Sequence, residues 1–408
     1  MNIGRSIEEV VESICRRSFF ADFTIKSPKY YKLNGQEKEA ADVLIVFKET
    51  LLAIQIKSKE FDSAPQQPSP VELMRASRTI DKAIRQFRAL AEAMRSPDFK
   101  SFVNGRGIQI DFDRSQITHI ILIVVFAPVW NEGANNPARV RFDVTCYAEE
   151  EIPIHLFTLE QFCLLLTLMD TLPDFLLYLM ARWTFHEEKL IPQDADPIDE
   201  WALVTFERKR VVEILQKRTF TDLSGLFRRH KISVTRLERR EKPSYFVDKL
   251  IEEMYADIGT NLPVDPRFNL IAEPNSLNSY HSVIPHLAKL NRDERGQLTE
   301  FLLRIVKRCH KLGLDFRGFK FSEESDEAYV VLAAKRERNE RRIALVNVAI
   351  AMGIKLKAKT VIGLAVRHDW PASPTFDVLF IDVSKAKPDA AFIRGAEERF
   401  GKVRFMDK

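Results

Sequence analysis

Asp42, Gln55 and Lys57 place a carboxylate, an amide oxygen and an ammonium within one short stretch, EAADVLIVFKETLLAIQIKSKE at 39–60. Divalent cations take oxygen ligands, and a lysine beside such a site can orient or deprotonate water or steady developing negative charge. The elements that must position these groups are legible around them. Asp42 opens an apolar run at 43–47, a polar break follows at Lys48, Glu49 and Thr50, and a second apolar run at 51–54 leads into Gln55-Ile56-Lys57. Two short β-branched and aromatic runs around a polar break predict a hairpin. Alternate residues of a strand share a face, so Gln55 and Lys57 point one way while Ile54 and Ile56 point into the other layer. Asp42, on the neighbouring strand, is expected beside them.

Asp42, then a hairpin, then Gln55-x-Lys57 resembles the PD-(D/E)XK nuclease core in its QxK variant, as in Mrr-like restriction endonucleases. The resemblance covers roughly the first 180 residues, the size of one domain. It implies an α/β fold, α+β overall, with a restriction-endonuclease-like αβββαβ core and a mixed sheet. It also implies hydrolysis of phosphodiester bonds with Mg²⁺ (or Mn²⁺). Asp42 and Gln55 would hold the metal, and Lys57 would serve the attacking water. Many members carry an acid on the first helix, facing the metal. Residues 6–16 read as that helix, with Ile7, Val10, Val11 and Ile14 at helical spacing. On a helical wheel Glu8 flanks this apolar stripe, Glu12 lies further out and Glu9 points to solvent. Glu8 is therefore the expected third ligand, and Glu12 is expected on a solvated face.

The loop after Lys57 contains Pro65, Pro68 and Pro70. Lys59 is expected near phosphate. Residues 71–95 read as one long helix or as two broken near Ser77, and carry Arg75, Arg78, Lys82, Arg85, Arg88 and Arg95. In related nucleases this helix lines the active face, and some carry a Gln there that Gln86 resembles. The nucleic-acid contacts expected are Lys59, Arg78, Lys82, Arg85 and Gln86. Residues 118–126, THIILIVVF, read as a fully buried strand, and 152–157 as another.

Prolines and acids at 191–199, IPQDADPID, suggest a linker, which divides the chain into a nuclease-like domain at 1–188 and a second domain at 200–408. The second domain reads as helical at first, with basic clusters between 208 and 240, then as a small α+β end. Its strands are expected at 328–333, 360–366 and 376–383, with helices at 338–352 and 387–400. No internal repeat is visible.

The chain has 408 residues, 45% hydrophobic content and a formal net charge of +4, so packed cores are supported and any basic surface must be local. Cys15, Cys146, Cys163 and Cys309 form no CxxC pair and read as free thiols in a reducing compartment. The apolar segment at 162–183 is interrupted by Asp170, Pro173 and Asp174, so a buried helix pair is expected rather than a membrane span. The N-terminus lacks an apolar signal core, and a cytoplasmic protein without a membrane partner is expected. The function expected is a metal-dependent DNA endonuclease in restriction or anti-phage defence, as a homo-oligomer or with a defence-system partner protein. The alternative is a nuclease-like module, weak or inactive, that binds nucleic acid or a partner protein.

Overall fold

The two apolar runs form the expected hairpin, and the first sheet is built outward from it. In this computed structural model the chain divides into two units, residues 1–236 and 237–408. The structure describes residues 3–31, 36–61, 70–94, 101–111, 113–130, 145–149, 152–257, 276–370 and 376–383.

The first unit runs α1 (Ile3–Phe19), β1 (Thr24–Lys26), β2 (Lys29–Tyr31), β3 (Glu37–Glu39), β4 (Val43–Phe47), β5 (Thr50–Phe61) and α2 (Pro70–Ala93). It continues with β6 (Ser101–Val103), β7 (Gln109–Asp111), β8 (His119–Trp130), β9 (Cys146–Glu149), β10 (Ile152–Thr158), α3 (Leu159–Leu168) and α4 (Leu172–Glu187). Helices α5 (Pro197–Phe206), α6 (Arg208–Lys217) and α7 (Leu226–Arg229) follow, and α8 (Lys231–Glu241) runs across the division.

The main sheet has the order β1-β4-β5-β8-β10-β9. Strands β1, β4 and β5 are antiparallel, β5–β8 and β8–β10 are parallel, and β9 returns antiparallel to β10. This is the expected helix, three strands, helix, strand order in a mixed sheet. Two small ribbons, β2–β3 and β6–β7, lie outside it. Helix α2 is a single unbroken helix. Its Ile80, Ala83, Ile84, Phe87 and Leu90 pack with Leu44, Leu51, Ala53, Leu122 and Val124.

Helix α1 buries a different face from the one expected. Val11, Cys15 and Phe19 are buried, whereas Val10 is 50% exposed. Glu12, expected in solvent, is buried instead, because Arg16 and Lys26 each reach it at 2.5 Å. The apolar segment at 162–183 is the helix pair α3–α4, and no described helix is long and apolar enough to cross a membrane.

The division into units falls at 236/237, later than the linker expected at 191–199. The reason is a buried polar network that ties α5 to α4 within the first unit. Arg182 Nε donates to Glu200 Oε2 at 2.6 Å, and His186 Nε2 lies 2.9 Å from Glu200 Oε1. Arg182 Nη1 also approaches His155 Nδ1 at 3.2 Å. Burial pushes the Glu200 carboxyl up, but Arg182 and His186 more than reverse this, leaving its pKa below the usual range. Burial and the Arg182 charge push His155 well down, which holds it neutral.

The second unit contains α9 (Tyr245–Asp257), α10 (Ser276–Ala288), α11 (Arg292–Leu312), β11 (Leu314–Phe319), β12 (Glu327–Ala334), α12 (Arg338–Lys355), β13 (Thr360–Arg367) and β14 (Phe376–Asp382). Its sheet order is β11-β12-β13-β14, with only the β12–β13 pair parallel. Ala328, Val330, Leu332 and Ala334 pack with Leu345, Val348 and Ala349 of α12. On the other face Phe301 of α11 meets Phe319 at 4.6 Å. Asp377, buried on β14, takes hydrogen bonds from Arg338, Arg341 and Arg342. The helix expected at 387–400 lies outside the described residues.

Removing one partner of a buried ion pair leaves an uncompensated charge in the core. Glu200→Ala is therefore expected to cost about 3–5 kcal/mol. Urea denaturation checks this, and a loss below about 1 kcal/mol, the range of an exposed pair, would show that the network is not what fixes α5 on the first unit.

Candidate functional site

The hairpin turn brings Asp42 to the side of Gln55 and Lys57. Lys48 takes a left-handed conformation, φ 52°, and the strands pair from Phe47↔Thr50 to Val43↔Ile54. That register, with strict alternation along each strand, fixes which face each residue takes. Asp42 sits one residue before β4 and is anchored on both sides. Its N–H donates to Ile54 O at 3.1 Å, and its carbonyl accepts the Ser27 N–H at 3.0 Å.

The carboxyl of Asp42 then crosses to β5. Its Oδ2 accepts the Ile56 N–H at 2.5 Å and lies 3.6 Å from Lys57 Nζ. Lys57 Nζ donates to Gln55 Oε1 at 2.9 Å and to Ile56 O at 3.1 Å. Gln55 is 2% exposed, and its Nε2 donates to Ala40 O at 3.5 Å, which turns the amide oxygen toward Lys57. The three residues singled out from spacing are therefore in one cluster.

Two acids near this cluster feel one another. Burial, opposed by Lys57 and the Ile56 N–H, holds the Asp42 carboxyl above its ordinary pKa. Burial and the charges of Asp42 and Glu39 do the same for Glu8, against the pull of Lys57 and Lys26. Glu8, half-buried near the start of α1, is thus within electrostatic range of Asp42, Glu39, Lys57 and Lys26. Glu12, taken up by Arg16 and Lys26, does not join it. Glu39 was missed in the sequence. It lies three residues before Asp42, but the short strand β3 that carries it has no periodic signal, and its charge bears on both Glu8 and Asp42.

Lys59 follows Lys57 on the same face of β5, half-buried. Arg78, Lys82 and Arg85 are exposed and share one face of α2, at helical spacings of four and three. Gln86 differs from them. It is half-buried, and its Oε1 is buried with no hydrogen-bond partner among the described residues. Helix α2 covers the sheet face that carries Leu51 and Ala53, which alternation also gives to Gln55 and Lys57. The side chains of Arg75, Arg88 and Arg95 lie outside the described residues.

Among the described residues no group of three or more His, Cys, Asp or Glu side chains is spaced to hold a metal ion. The oxygen groups that the hairpin brings together are the Asp42 carboxyl and the Gln55 amide oxygen, both next to Lys57 Nζ, with the Glu8 carboxyl in electrostatic range. Two such oxygens do not close a cage, and any hard cation held there would keep several waters. No protein family, curated protein or solved structure matches this chain.

Raised carboxyl pKa values carry a stability consequence. The unfolded chain ionises Asp42 at its ordinary pKa, so the folded state loses stability as pH climbs from there through the raised folded value. Asn at position 42 keeps an oxygen for the Ile56 N–H and removes the charge. Asp42→Asn is therefore expected to melt at or above the wild-type temperature at neutral pH without divalent cations, with the gap closing below about pH 4. Differential scanning calorimetry across pH checks this, and a clearly lower melting temperature at neutral pH contradicts it.

Proposed function

We propose that the first unit is a metal-dependent endonuclease that hydrolyses DNA phosphodiester bonds, in the setting of restriction or anti-phage defence. The observation that carries this reading is the convergence of Asp42, Gln55 and Lys57 at one end of the β4–β5 hairpin, with the charge of Glu8 in electrostatic range of Asp42 and Lys57. Asp42, Gln55 Oε1 and Glu8 would hold Mg²⁺ or Mn²⁺. A bound divalent ion polarises a phosphoryl oxygen and lowers the pKa of a coordinated water.

The protein's own groups do the rest. Asp42 is fixed from both neighbouring strands, so its carboxyl is preorganised. Lys57 presents an ammonium within reach of both Asp42 and Gln55, where it orients the attacking water and stabilises charge that develops on the phosphate. Lys59 and the Arg78, Lys82 and Arg85 face of α2 supply backbone-phosphate contacts. Gln86, half-buried and with an amide oxygen that has no partner among the described residues, stands off the exposed Arg78, Lys82 and Arg85 face.

A second reading, a non-catalytic module that binds nucleic acid or a partner protein, is favoured by one observation. Gln55 is neutral, and its carbonyl oxygen already accepts Lys57 Nζ. A carbonyl has two lone pairs, so this bond does not bar a second interaction at the same oxygen.

Cleavage of supercoiled plasmid with Mg²⁺ or Mn²⁺ separates the two readings. Asp42→Ala and Lys57→Ala are each expected to lower the rate by about 10²–10³ or more, with circular dichroism unchanged. Lys57→Ala should retain metal and DNA binding, because the ammonium is not a ligand. Glu8→Ala should impair cleavage more than Glu9→Ala. Full activity in Lys57→Ala would overturn the catalytic assignment in favour of the binding module.

A further inference from the structure

Helix α11 of the second unit carries a row of cations with no acid among them. From Arg304 to Gly313 the sequence is RIVKRCHKLG. Arg304, Lys307, Arg308 and Lys311 fall at helical spacings of three, one and three, which puts them on one face. All four are exposed, while Ile305, Val306 and Cys309 of the same turns are buried against the unit's core.

A fifth cation comes from the sheet. Arg317 stands on β11, the edge strand, and its guanidinium lies 4.2 Å from the centre of the Phe301 ring. Arg304 approaches the same ring at 5.9 Å. Burial lowers the Arg317 pKa, and the neighbouring charges of Arg304 and Arg308 lower it further. Two acids reach the group from outside the row: Glu300 meets Arg304 at 3.0 Å and Asp315 meets Arg308 at 3.1 Å. Five cations therefore face two acids. Lys335, exposed beside the end of the helix, donates to His310 O at 2.7 Å and adds a sixth.

The ordinary explanation is a solvated helix end whose dipole favours cations. That effect is confined to the last turn, so it accounts for Lys311 and not for Arg304, Lys307, Arg308 or Arg317. Surfaces that only need solubility intersperse both signs. A same-sign row that crowds a partly buried arginine costs stability unless an anion relieves it. From Arg304 to Lys311 the row is about 10 Å long at the rise of an α-helix. One strand of duplex DNA offers a phosphate per roughly 3.4 Å of its axis, so the row matches about three phosphates.

We infer that the α11–β11 surface, Arg304, Lys307, Arg308, Lys311 and Arg317, is a docking surface for the phosphate backbone of duplex DNA. It binds without reading bases, because point cations on phosphates carry position and not sequence. The choice of DNA rests on the endonuclease reading above, while the surface itself does not depend on cleavage.

The test uses the full chain in EDTA, so that binding is measured without hydrolysis. Fluorescence anisotropy gives the affinity for a labelled DNA duplex, and for an RNA duplex of the same length, over a series of salt concentrations. The variant Arg304→Gln/Lys307→Gln/Lys311→Gln spares Arg308, which is paired with the buried Asp315, and Arg317, which is partly buried against Phe301. Its slope of log affinity against log salt should fall by about 2–3, at about 0.9 per lost phosphate contact. The DNA affinity itself should fall at least about tenfold at low salt. A control, Lys249→Gln/Lys359→Gln, removes two exposed lysines already paired with Glu253 and Asp326, and should leave the slope unchanged. An unchanged slope in the triple variant overturns the surface, and it overturns the surface alone if the wild-type chain still cleaves DNA. A loss confined to the RNA duplex, or no wild-type binding to DNA, also overturns the inference.

Discussion

The candidate site depends on how one carboxyl is held. Asp42 is pinned through its backbone to Ser27 and Ile54, and its Oδ2 accepts the Ile56 N–H. Those bonds leave the charge no freedom to swing into solvent. Burial on the hairpin then makes the ionised form costly. Lys57 and the Ile56 N–H offset part of that cost but not all of it, and Glu39 adds to it. The Lys57 and Lys26 ammonium groups leave the raised carboxyls only partly compensated, and in the proposed reading a divalent cation would supply the missing positive charge. The same arrangement explains why stability and function are expected to oppose each other at position 42.

The hairpin was legible because two constraints agreed in the sequence. The runs VLIVF and LLAI are apolar on both faces, as strands covered by helices on each side must be, and the polar pair Lys48-Glu49 interrupts them where the chain turns. Period-two alternation then decided that Gln55 and Lys57 share a face. The burial of α1 was not legible, because Val10 and Cys15 are both apolar enough to belong to the stripe. What decides between them is the position of Lys26 on β1 and of Arg16, which draw Glu12 inward. Such choices are made by tertiary partners and leave no local signal. Glu39 was hidden for a related reason: a three-residue strand carries too little pattern to be read, yet it sets where that charge goes.

The domain boundary shows the same limit on a larger scale. Prolines and acids at 191–199 look like a linker, and locally they do interrupt the helices. Asp196 caps α5 through the Ile198 N–H, and Pro197 occupies its first turn. The segment nevertheless leads into a helix whose Glu200 is wholly buried against Arg182 and His186. A glutamate in a sequence gives no sign that it will be a core residue. Its burial becomes intelligible only once Arg182, 18 residues earlier in the chain and at most roughly 60 Å away if that stretch were fully extended, folds back beside it. In the second unit, β11 was missed because LDFRGF is short and carries two charges, and both of those charges turn toward α11.

The central claim is that Asp42, Gln55 and Glu8 form a site for a divalent cation served by Lys57. Calorimetric titration of Mn²⁺ into the wild-type chain, Gln55→Glu and Asp42→Asn addresses it most directly. An added carboxylate at position 55 supplies the charge that the amide lacks, so Gln55→Glu should bind Mn²⁺ more tightly than wild type. A gain of about tenfold corresponds to about 1.4 kcal/mol. Asp42→Asn should show no binding at the concentrations that saturate Gln55→Glu. Equal Mn²⁺ affinity in Gln55→Glu and Asp42→Asn would contradict the account, because it would place the cation away from the hairpin.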